Sequence, residues 1–229
     1  MYISSDRIDI QYTCKTLARR VQDPTDYSLI SLKRLFRFLV GHKKMEYLFH
    51  GHLVDFQTVT VFVDSDWAGD RLSRKSTTGG IVLVGSELSS SCIMASYSRT
   101  QNSVALSSTE AELQAIVSGV GEGVFVQSLI TELGFSKPSL IVCTDSKGAY
   151  DNLKRLGVGR IKHVALRSLF VQELVHNNTV SLRKVSTLSN PADLLTKPVS
   201  SSTLFRLLSL LPIRCCDWPT RKDEVNEDE

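Results

Sequence analysis

The chain has 229 residues, of which 42% are hydrophobic, which suffices for one large domain or two small ones with a substantial core. It has no run of 18 apolar residues and no apolar stretch at its polar N-terminus, so neither a transmembrane helix nor a signal peptide is expected. Its five cysteines show no CxxC spacing, which argues against a disulfide framework and indicates reduced, intracellular thiols.

The net charge of +3 is unevenly distributed along the chain. Residues 217–229 hold six acids and two cations, so residues 1–216 carry +7. A basic body gives mild support for a polyanionic partner, although an ordinary solvated surface has the same composition. The acidic tail has no apolar period, and we expect it to be disordered.

Two helices are predicted within residues 5–42, because apolar residues recur at helical spacing on either side of a break at 23–26. A helical hairpin buries little surface by itself. We therefore expect the two apolar stripes to pack on each other and to leave some apolar surface exposed. A chain that begins near residue 55 is expected to stay folded without them. The stripes are Ile10, Cys14, Leu17 and Val21, and then Leu29, Leu32, Phe36 and Leu39.

From residue 46 onward, strands come first and then alternate with helices, which favours a mixed sheet with helices packed on it. Gly119, Gly121 and Gly123 interrupt the longest predicted helix and indicate either a kink or a close contact between helix and sheet. The predicted strands are 46–54, 59–65, 79–85, 91–98, 139–144 and 179–185. The predicted helices are 107–133, 146–156, 163–176, 191–197 and 202–211.

Four acidic residues fall at the ends of these elements. Asp64 and Asp145 end apolar strands, Glu112 lies near the start of the long helix, and Asp193 follows the helix-start pair Asn190-Pro191. Carboxylates that converge from separate elements suit hard divalent cations, and two such cations together can hydrolyse a phosphodiester. Taken alone, an acid placed like Asp193 could simply complement a helix dipole.

Several motifs of the chain resemble one family. Residues 56–199 resemble the ribonuclease H domain of copia-type LTR retrotransposon Pol polyproteins, and residues 1–50 resemble the segment after the reverse transcriptase palm. Residues 200–229 would then form a C-terminal helix and an acidic tail. The motifs are Asp64-Ser65-Asp66-Trp67-Ala68-Gly69-Asp70, Arg74-Lys75-Ser76-Thr77, Val104-Ala105-Leu106-Ser107-Ser108-Thr109-Glu110-Ala111-Glu112, Cys143-Thr144-Asp145-Ser146, Ile161-Lys162-His163, Asn190-Pro191-Ala192-Asp193 and Thr196-Lys197-Pro198.

The resemblance implies an α/β fold, in which a five-stranded mixed sheet is flanked by helices and preceded by an N-terminal helical hairpin. It also implies metal-dependent endonucleolytic hydrolysis of the RNA strand of RNA–DNA hybrids during reverse transcription, with two Mg²⁺ ions or with Mn²⁺ instead. The implied partners are the hybrid and the reverse transcriptase portion of the parent polyprotein, and no membrane. The implied location is the cytoplasm, in a virus-like particle, or the nucleus.

The resemblance also assigns roles to the four acids. Asp64 would bridge the two metals, Glu112 and Asp145 would complete the ligand set, and Asp193 would hold the second metal. Spacing alone does not choose between Asp64 and Asp66, which point to the same face of a strand.

The glutamate assignment also depends on the resemblance. Glu110 and Glu112 lie about 200° apart on a helix, so only one of them can face the site. Glu110 lies nearer the axis of the apolar stripe. We nevertheless select Glu112, as the resemblance does, because a catalytic carboxylate often lies at the edge of such a stripe, where the helix meets the cleft.

Two groups of residues near the acids in sequence are expected to contact the substrate, a loop of cations and a set of hydroxyls. Arg74 and Lys75 lie with Arg71 in a loop of three cations that could bind phosphates, although a solvated hairpin explains the same charges. Hydroxyls near the acids could bind a sugar or a phosphate, although the three at the start of the long helix, Ser107, Ser108 and Thr109, are also N-cap residues by pattern. The hydroxyls expected to contact the substrate belong to Ser65, Ser108, Thr109 and Ser146.

Two other functions remain open. The first is a catalytically inactive relic that binds nucleic acid or connects domains, which the absent polymerase aspartates and the departures from the family pattern at Ala95-Ser96-Tyr97 and Ala165 favour. The second is an integrase- or transposase-type nuclease, which shares the sheet. The placement of Glu112 near the start of the long helix argues against that class, whose last acid lies on a helix far downstream.

Overall fold

The computed structural model describes residues 2–49, 56–85, 90–155, 157 and 165–216. The predicted acidic tail at 217–229 and the motif Ile161-Lys162-His163 lie outside the described residues. The helices are α1 (Gln11–Ala18), α2 (Asp26–Gly41), α3 (Ser108–Glu132), α4 (Lys147–Lys154), α5 (Ala165–His176) and α6 (Ser201–Leu208), with 3₁₀ helices at Tyr2–Ser4, Thr187–Ser189 and Pro191–Leu195. The strands are β1 (Met45–Tyr47), β2 (Thr58–Ser65), β3 (Thr77–Val84), β4 (Cys92–Thr100), β5 (Ser139–Thr144), β6 (Val180–Lys184) and β7 (Ile213–Cys215).

The main sheet has five strands in the order β4-β3-β2-β5-β6. Strands β2, β3 and β4 are antiparallel neighbours, whereas β5 and β6 run parallel to β2. Alternate residues of β2 face opposite sides, so Val61 and Val63 are buried beneath α3 and Phe62 is buried on the other face. This arrangement confirms the predicted ribonuclease H-like mixed sheet flanked by helices.

Helix α3 crosses one face of the sheet and its glycines explain how closely it packs. A Cβ atom at Gly119 would come within 2.4 Å of Val63 Cγ1, and one at Gly123 within 2.5 Å of Leu140 Cδ1, whereas Gly121 faces open space. Two of the glycines therefore mark a close contact between helix and sheet, in a helix that continues unbroken from Ser108 to Glu132. The length and composition of α3 would also suit a membrane span, but half of that stretch is buried inside the protein, as in a core helix.

The N-terminal segment contributes to the core on the other face. Ile8 and Ile10 are 0% and 2% exposed, and Ile8 packs with Phe62 of β2 and with side chains of α6. Helix α2 has no buried residue and leaves Phe36 60% exposed, which is the exposed apolar surface that the hairpin pattern predicted. The division of the chain at residues 50 and 56 remains a prediction.

One predicted strand differs from the structure. The segment 46–54 is predicted to be a strand, but β1 ends at Tyr47 and, among the described residues, pairs with β7 outside the five-stranded sheet, with Met45 opposite Cys215. Residues 50–55 lie outside the described residues. The partner of β1 is about 170 residues away in sequence, and no local pattern indicates such a pairing.

Candidate metal centre

The parallel pairing of β2 with β5 brings two acids together at one end of the sheet. Phe62 lies opposite Cys143 in the register, and Asp64 and Asp145 each follow two residues later. Because the carboxyl ends of neighbouring parallel strands meet at the same edge, the two side chains stand next to each other. Asp64 is 3% exposed and Asp145 is half-buried.

The third acid comes from the second turn of α3. The helix begins after Ser107, whose hydroxyl accepts a hydrogen bond of 3.2 Å from the amide of Glu110. This start places the buried Glu112 over the ends of β2 and β5. One carboxylate oxygen each from Asp64, Glu112 and Asp145 lies within 4.8 Å of the other two, which is a ligand set suited to a hard divalent cation.

The two competing acids have other partners. Glu110 Oε2 accepts a hydrogen bond of 2.8 Å from the backbone amide of Leu106, so this glutamate closes the turn before α3. Asp66 Oδ1 accepts a hydrogen bond from the backbone amide of Thr77 across the β2–β3 turn. Both acids are therefore used in local structure, and the cluster contains neither of them.

Asp193 reaches the site on the 3₁₀ helix Pro191–Leu195, which two features hold against the sheet. The capping residue Asn190 accepts a hydrogen bond of 3.2 Å from the Ala192 amide and donates one of 2.9 Å to the Val63 carbonyl of β2. Gly79 lies opposite Asp64 in the register, and a Cβ atom there would come within 2.9 Å of the Ala192 carbonyl. A side chain at position 79 would push this helix away from Asp64.

Lys197 connects Asp193 to the other acids. Its Nζ lies 2.8 Å from Asp193 Oδ1 and 3.7 Å from Asp64 Oδ2. The hydroxyl of Thr196 also donates a hydrogen bond to Asp64 Oδ2. Asp193 is not within the 4.8 Å set of three, so the structure places it beside that set through Lys197. The sequence showed Thr196 and Lys197 as a motif but gave neither residue a role.

The electrostatics of the site favour a bound cation. Burial, followed by the negative charges of Asp64 and Asp145, raises the pKa of Glu112 to about 9. Burial and Asp64 raise the pKa of Asp193 to about 6, although Lys197 opposes this shift. Glu112 Oε2 is buried and has no hydrogen-bond partner among the described residues. An oxygen ligand without a partner, in an excess of negative charge, fits a divalent cation.

Sequence comparisons identify relatives of most of the chain. It is 31% identical over 217 residues to the retrovirus-related Pol polyprotein from transposon RE1 of Arabidopsis thaliana, covering 93% of this chain and 14% of the relative. It is 33% identical over 204 residues to the corresponding polyprotein from transposon RE2 of the same plant, covering 87% and 13%. The chain is thus homologous to a segment of the Pol polyproteins of copia-type transposons. It spans about one seventh of the length of these relatives.

No protein-family model matches the chain. Among solved structures, it is similar to the N-terminal RNase H domain of a Mycobacterium tuberculosis protein, with 16% identity and a TM-score of 0.42 over 66% of this chain and 96% of that one.

The hydroxyl residues predicted to contact a substrate differ in their local hydrogen bonds and in their exposure to solvent. The Ser65 hydroxyl donates hydrogen bonds to two backbone carbonyls, and the Ser146 hydroxyl caps α4. Ser108 is exposed in the first turn of α3. Thr109, half-buried, lies near the start of α4, where a Cβ atom at Gly148 would come within 2.9 Å of its Oγ1.

The loop cations are open to solvent to different degrees. Arg74 is exposed and has a left-handed backbone with φ of 55°, and Lys75 is half-buried. The roles of these two residues, and of the four hydroxyls, in binding a substrate remain predictions.

Proposed function

We propose that this Pol segment is a metal-dependent ribonuclease H that hydrolyses the RNA strand of RNA–DNA hybrids during reverse transcription. The observation that carries the proposal is the cluster of three carboxylates from β2, α3 and the end of β5, with oxygens within 4.8 Å of one another. Elements far apart in sequence converge there, and an excess of buried acid is costly unless cations neutralise it. The proposed partner is the reverse transcriptase portion of the parent polyprotein.

Two divalent cations, Mg²⁺ or alternatively Mn²⁺, fit the donor set. Asp64, Glu112 and Asp145 would hold one of them, and Asp64 with Asp193 would hold the other. When bound, such cations supply an activated water and neutralise the charge that develops on the cleaved phosphodiester.

The protein's own residues prepare the site for this chemistry. Thr196 fixes the orientation of the Asp64 carboxylate by donating a hydrogen bond to it. The ammonium of Lys197 lies against Asp64 and Asp193 in the metal-free protein, where a bound cation would take over its role as the positive partner of these two carboxylates. Glu112 holds its proton at neutral pH in the metal-free protein and must release it on binding metal, so metal affinity should rise with pH.

Specificity for the hybrid must come from contacts other than charge, because every duplex offers phosphates. A ribonuclease H has to recognise 2′-hydroxyls on one strand. The exposed Ser108 and the half-buried Thr109 at the start of α3 stand on the same helix as Glu112, and we propose that they contact the sugars of the RNA strand.

A cleavage assay on matched duplexes tests the proposal. RNA–DNA hybrid, double-stranded RNA and double-stranded DNA of one sequence are incubated with the protein in Mg²⁺, in Mn²⁺ and in EDTA. We expect cleavage of the hybrid's RNA strand only, and only with metal. Glu112→Gln should reduce the rate by more than about 100-fold, because a ligand matters more than the residues that support it.

Glu110→Gln is the matched control, since it makes the same change two residues away on the same helix and should keep most of the activity. A correctly folded protein that binds the hybrid in all conditions and never cleaves it would instead identify an inactive nucleic-acid-binding module. Greater damage from Glu110→Gln than from Glu112→Gln would contradict the proposed ligand set.

A further inference from the structure

A second polar site lies between α1 and the β2–β3 turn. It is a cavity of about 250 Å³. Helix α1 lines one wall with side chains at helical spacing, and the chain from Asp66 to Thr77 lines the other. The residues that matter here are Tyr12, Lys15, Arg19, Arg20, Asp70 and Thr77, and we call this cavity the α1 pocket.

We propose that the α1 pocket binds a backbone phosphate of the nucleic acid whose cleavage was proposed above. The inference rests on that proposed function for its ligand, and on three observations of its own. These are the donors that line the pocket, the way in which they are fixed, and the distance to the acidic cluster.

Lys15 supplies the first donor. Its Nζ donates a hydrogen bond of 2.6 Å to Thr77 Oγ1, and an ammonium has three protons to donate. Burial lowers the pKa of Lys15 to about 8, although the charge of Asp66 opposes this shift. The positive charge is thus incompletely compensated inside the protein, and an anion beside it would stabilise the ammonium form.

Two arginines supply further donors in fixed positions. Arg19 Nη2 donates to Asp70 Oδ2 at 2.7 Å and to Ser73 Oγ at 2.9 Å, and Arg20 Nη2 lies 3.7 Å from Asp70 Oδ1. Each guanidinium carries five N–H donors, so these contacts orient the group and leave donors for a phosphate. The pocket has three cations against the two acids Asp66 and Asp70, which leaves a net positive charge.

The pocket and the acidic cluster share one end of the sheet. Asp66 lines the pocket and follows Asp64 by two residues, a separation of about 7 Å along a strand. Thr77 begins β3, two residues before Gly79, the partner of Asp64 in the register. A nucleic acid with one phosphate at the acids can therefore place a nearby phosphate in the pocket.

A binding experiment with a charge-matched control tests the inference. The anisotropy of a labelled RNA–DNA hybrid is followed in EDTA, over a range of salt, so that no cleavage occurs. Lys15→Gln with Arg20→Gln should weaken binding by about tenfold and reduce the slope of log affinity against log salt by about 1. Lys33→Gln with Arg34→Gln removes the same charge from exposed positions of α2 and should change both quantities much less.

Equal losses in the two double variants would show that only the overall charge matters, and would overturn the inference. If the Lys15 variant melts at a much lower temperature than the parent protein, Arg20→Gln alone, at a partly exposed position, carries the test. Inorganic phosphate offers a second measurement on the unmodified protein. It should shift the amide resonances of Thr77 and Ser73, and an absence of shifts at saturating phosphate would also overturn the inference.

Single strands in the same assay identify the source of the phosphate. If the Lys15 and Arg20 double variant loses more affinity for single-stranded DNA than for single-stranded RNA, the pocket binds the DNA strand. If it loses more affinity for single-stranded RNA, the pocket binds the RNA strand. Because binding is measured without metal, a protein that uses the pocket and never cleaves refutes the proposed nuclease and leaves the pocket intact. If the protein cleaves the hybrid but the Lys15 and Arg20 double variant binds it as tightly as the parent protein, the proposed nuclease is supported and the proposed pocket is refuted.

Discussion

Replacing Glu112 with glutamine should stabilise the metal-free protein and remove its response to metal. Burial and the negative charges of Asp64 and Asp145 raise the pKa of Glu112 from its ordinary value of 4.5 to about 9. Between these pH values the folded protein binds more protons than the unfolded chain, so the contribution of Glu112 to stability is full below pH 4.5 and is lost as pH rises towards 9. Glutamine keeps the shape and does not titrate.

The size of the effect follows from the same shift. A tenfold change in proton affinity is worth about 1.4 kcal/mol, so Glu112→Gln should stabilise the metal-free fold by on the order of 3 kcal/mol at pH 7 and by less than about 1 kcal/mol at pH 5. For a protein of this size, 3 kcal/mol corresponds to roughly 10 °C in melting temperature.

Thermal melts followed by circular dichroism, at pH 5, 7 and 8.5 in EDTA and in millimolar Mg²⁺, measure both parts of the prediction. The parent protein should melt at a higher temperature in Mg²⁺, because a cation that binds only the folded state stabilises it. The variant should not respond to Mg²⁺. Glu110→Gln, which keeps an oxygen that can accept from the Leu106 amide, should show a small change that is independent of pH and metal. A variant at Glu112 that is less stable than the parent in EDTA at pH 8.5, or that Mg²⁺ stabilises as strongly, would refute this reasoning.

Three further predictions concern the acids and the core. Asp64→Asn should abolish hybrid cleavage with an unchanged circular dichroism spectrum, because it removes the carboxylate shared by both proposed metals; residual cleavage would exclude that role. Lys197→Met removes the ammonium beside Asp64 and Asp193, which would compete with Mg²⁺ for these two carboxylates. The melting temperature in EDTA should therefore fall, and the Mg²⁺ concentration at half-saturation should decrease; an unchanged half-saturation concentration would contradict this competition. Ile8→Ala should lower the free energy of unfolding in urea by about 2–5 kcal/mol, whereas Leu29→Ala on the exposed face of α2 should cost less than about 0.5 kcal/mol, and equal costs would show that Ile8 does not support the core.

The Ile8 prediction replaces an expectation drawn from the sequence alone. The helical pattern suggests that a chain beginning near residue 55 would stay folded. The structure buries Ile8 and Ile10 completely or nearly so and connects α1 to the sheet through Gln11, whose Nε2 donates a 2.8 Å hydrogen bond to Ser96 Oγ. A chain that begins near residue 55 would expose the apolar surface that these residues cover, and we now expect it to be destabilised.

Local patterns were sufficient for most of the fold. The apolar residues of β2 and of β5 predicted strands, because in a strand alternate side chains point to the same face, so these residues can be buried together. Asp64 and Asp145 could be recognised as candidate site residues for a related reason. Each follows a buried strand directly, so its side chain lies at the end of that strand. The start of α3 was predictable from Ser107, a residue type that caps helices.

Features that depend on distant partners could not be predicted in this way. The helix phase alone favoured Glu110, and only its hydrogen bond to Leu106 shows why Glu112 takes the place at the site. Thr196 meets Asp64 across 132 positions of sequence. The position of Asp193 depends on Gly79, whose missing side chain makes room for a helix that no local pattern connects with β3. Each of these contacts is set by tertiary packing, which a single sequence does not display.

The β2–β3 turn physically joins the acidic cluster to the α1 pocket. Its residue Asp66 accepts a hydrogen bond from the Thr77 amide, lies close to Gly69 and has the positive charge of Lys15 nearby. Asp70 is likewise held by Arg19 and Arg20. The acids of the metal centre share Lys197 as a neighbouring cation, and divalent cations would neutralise the charge that remains when all four acids are ionised. Asp70 thus has cationic partners between the acidic cluster and the α1 pocket, which reduces the repulsion that a phosphate entering the pocket would meet.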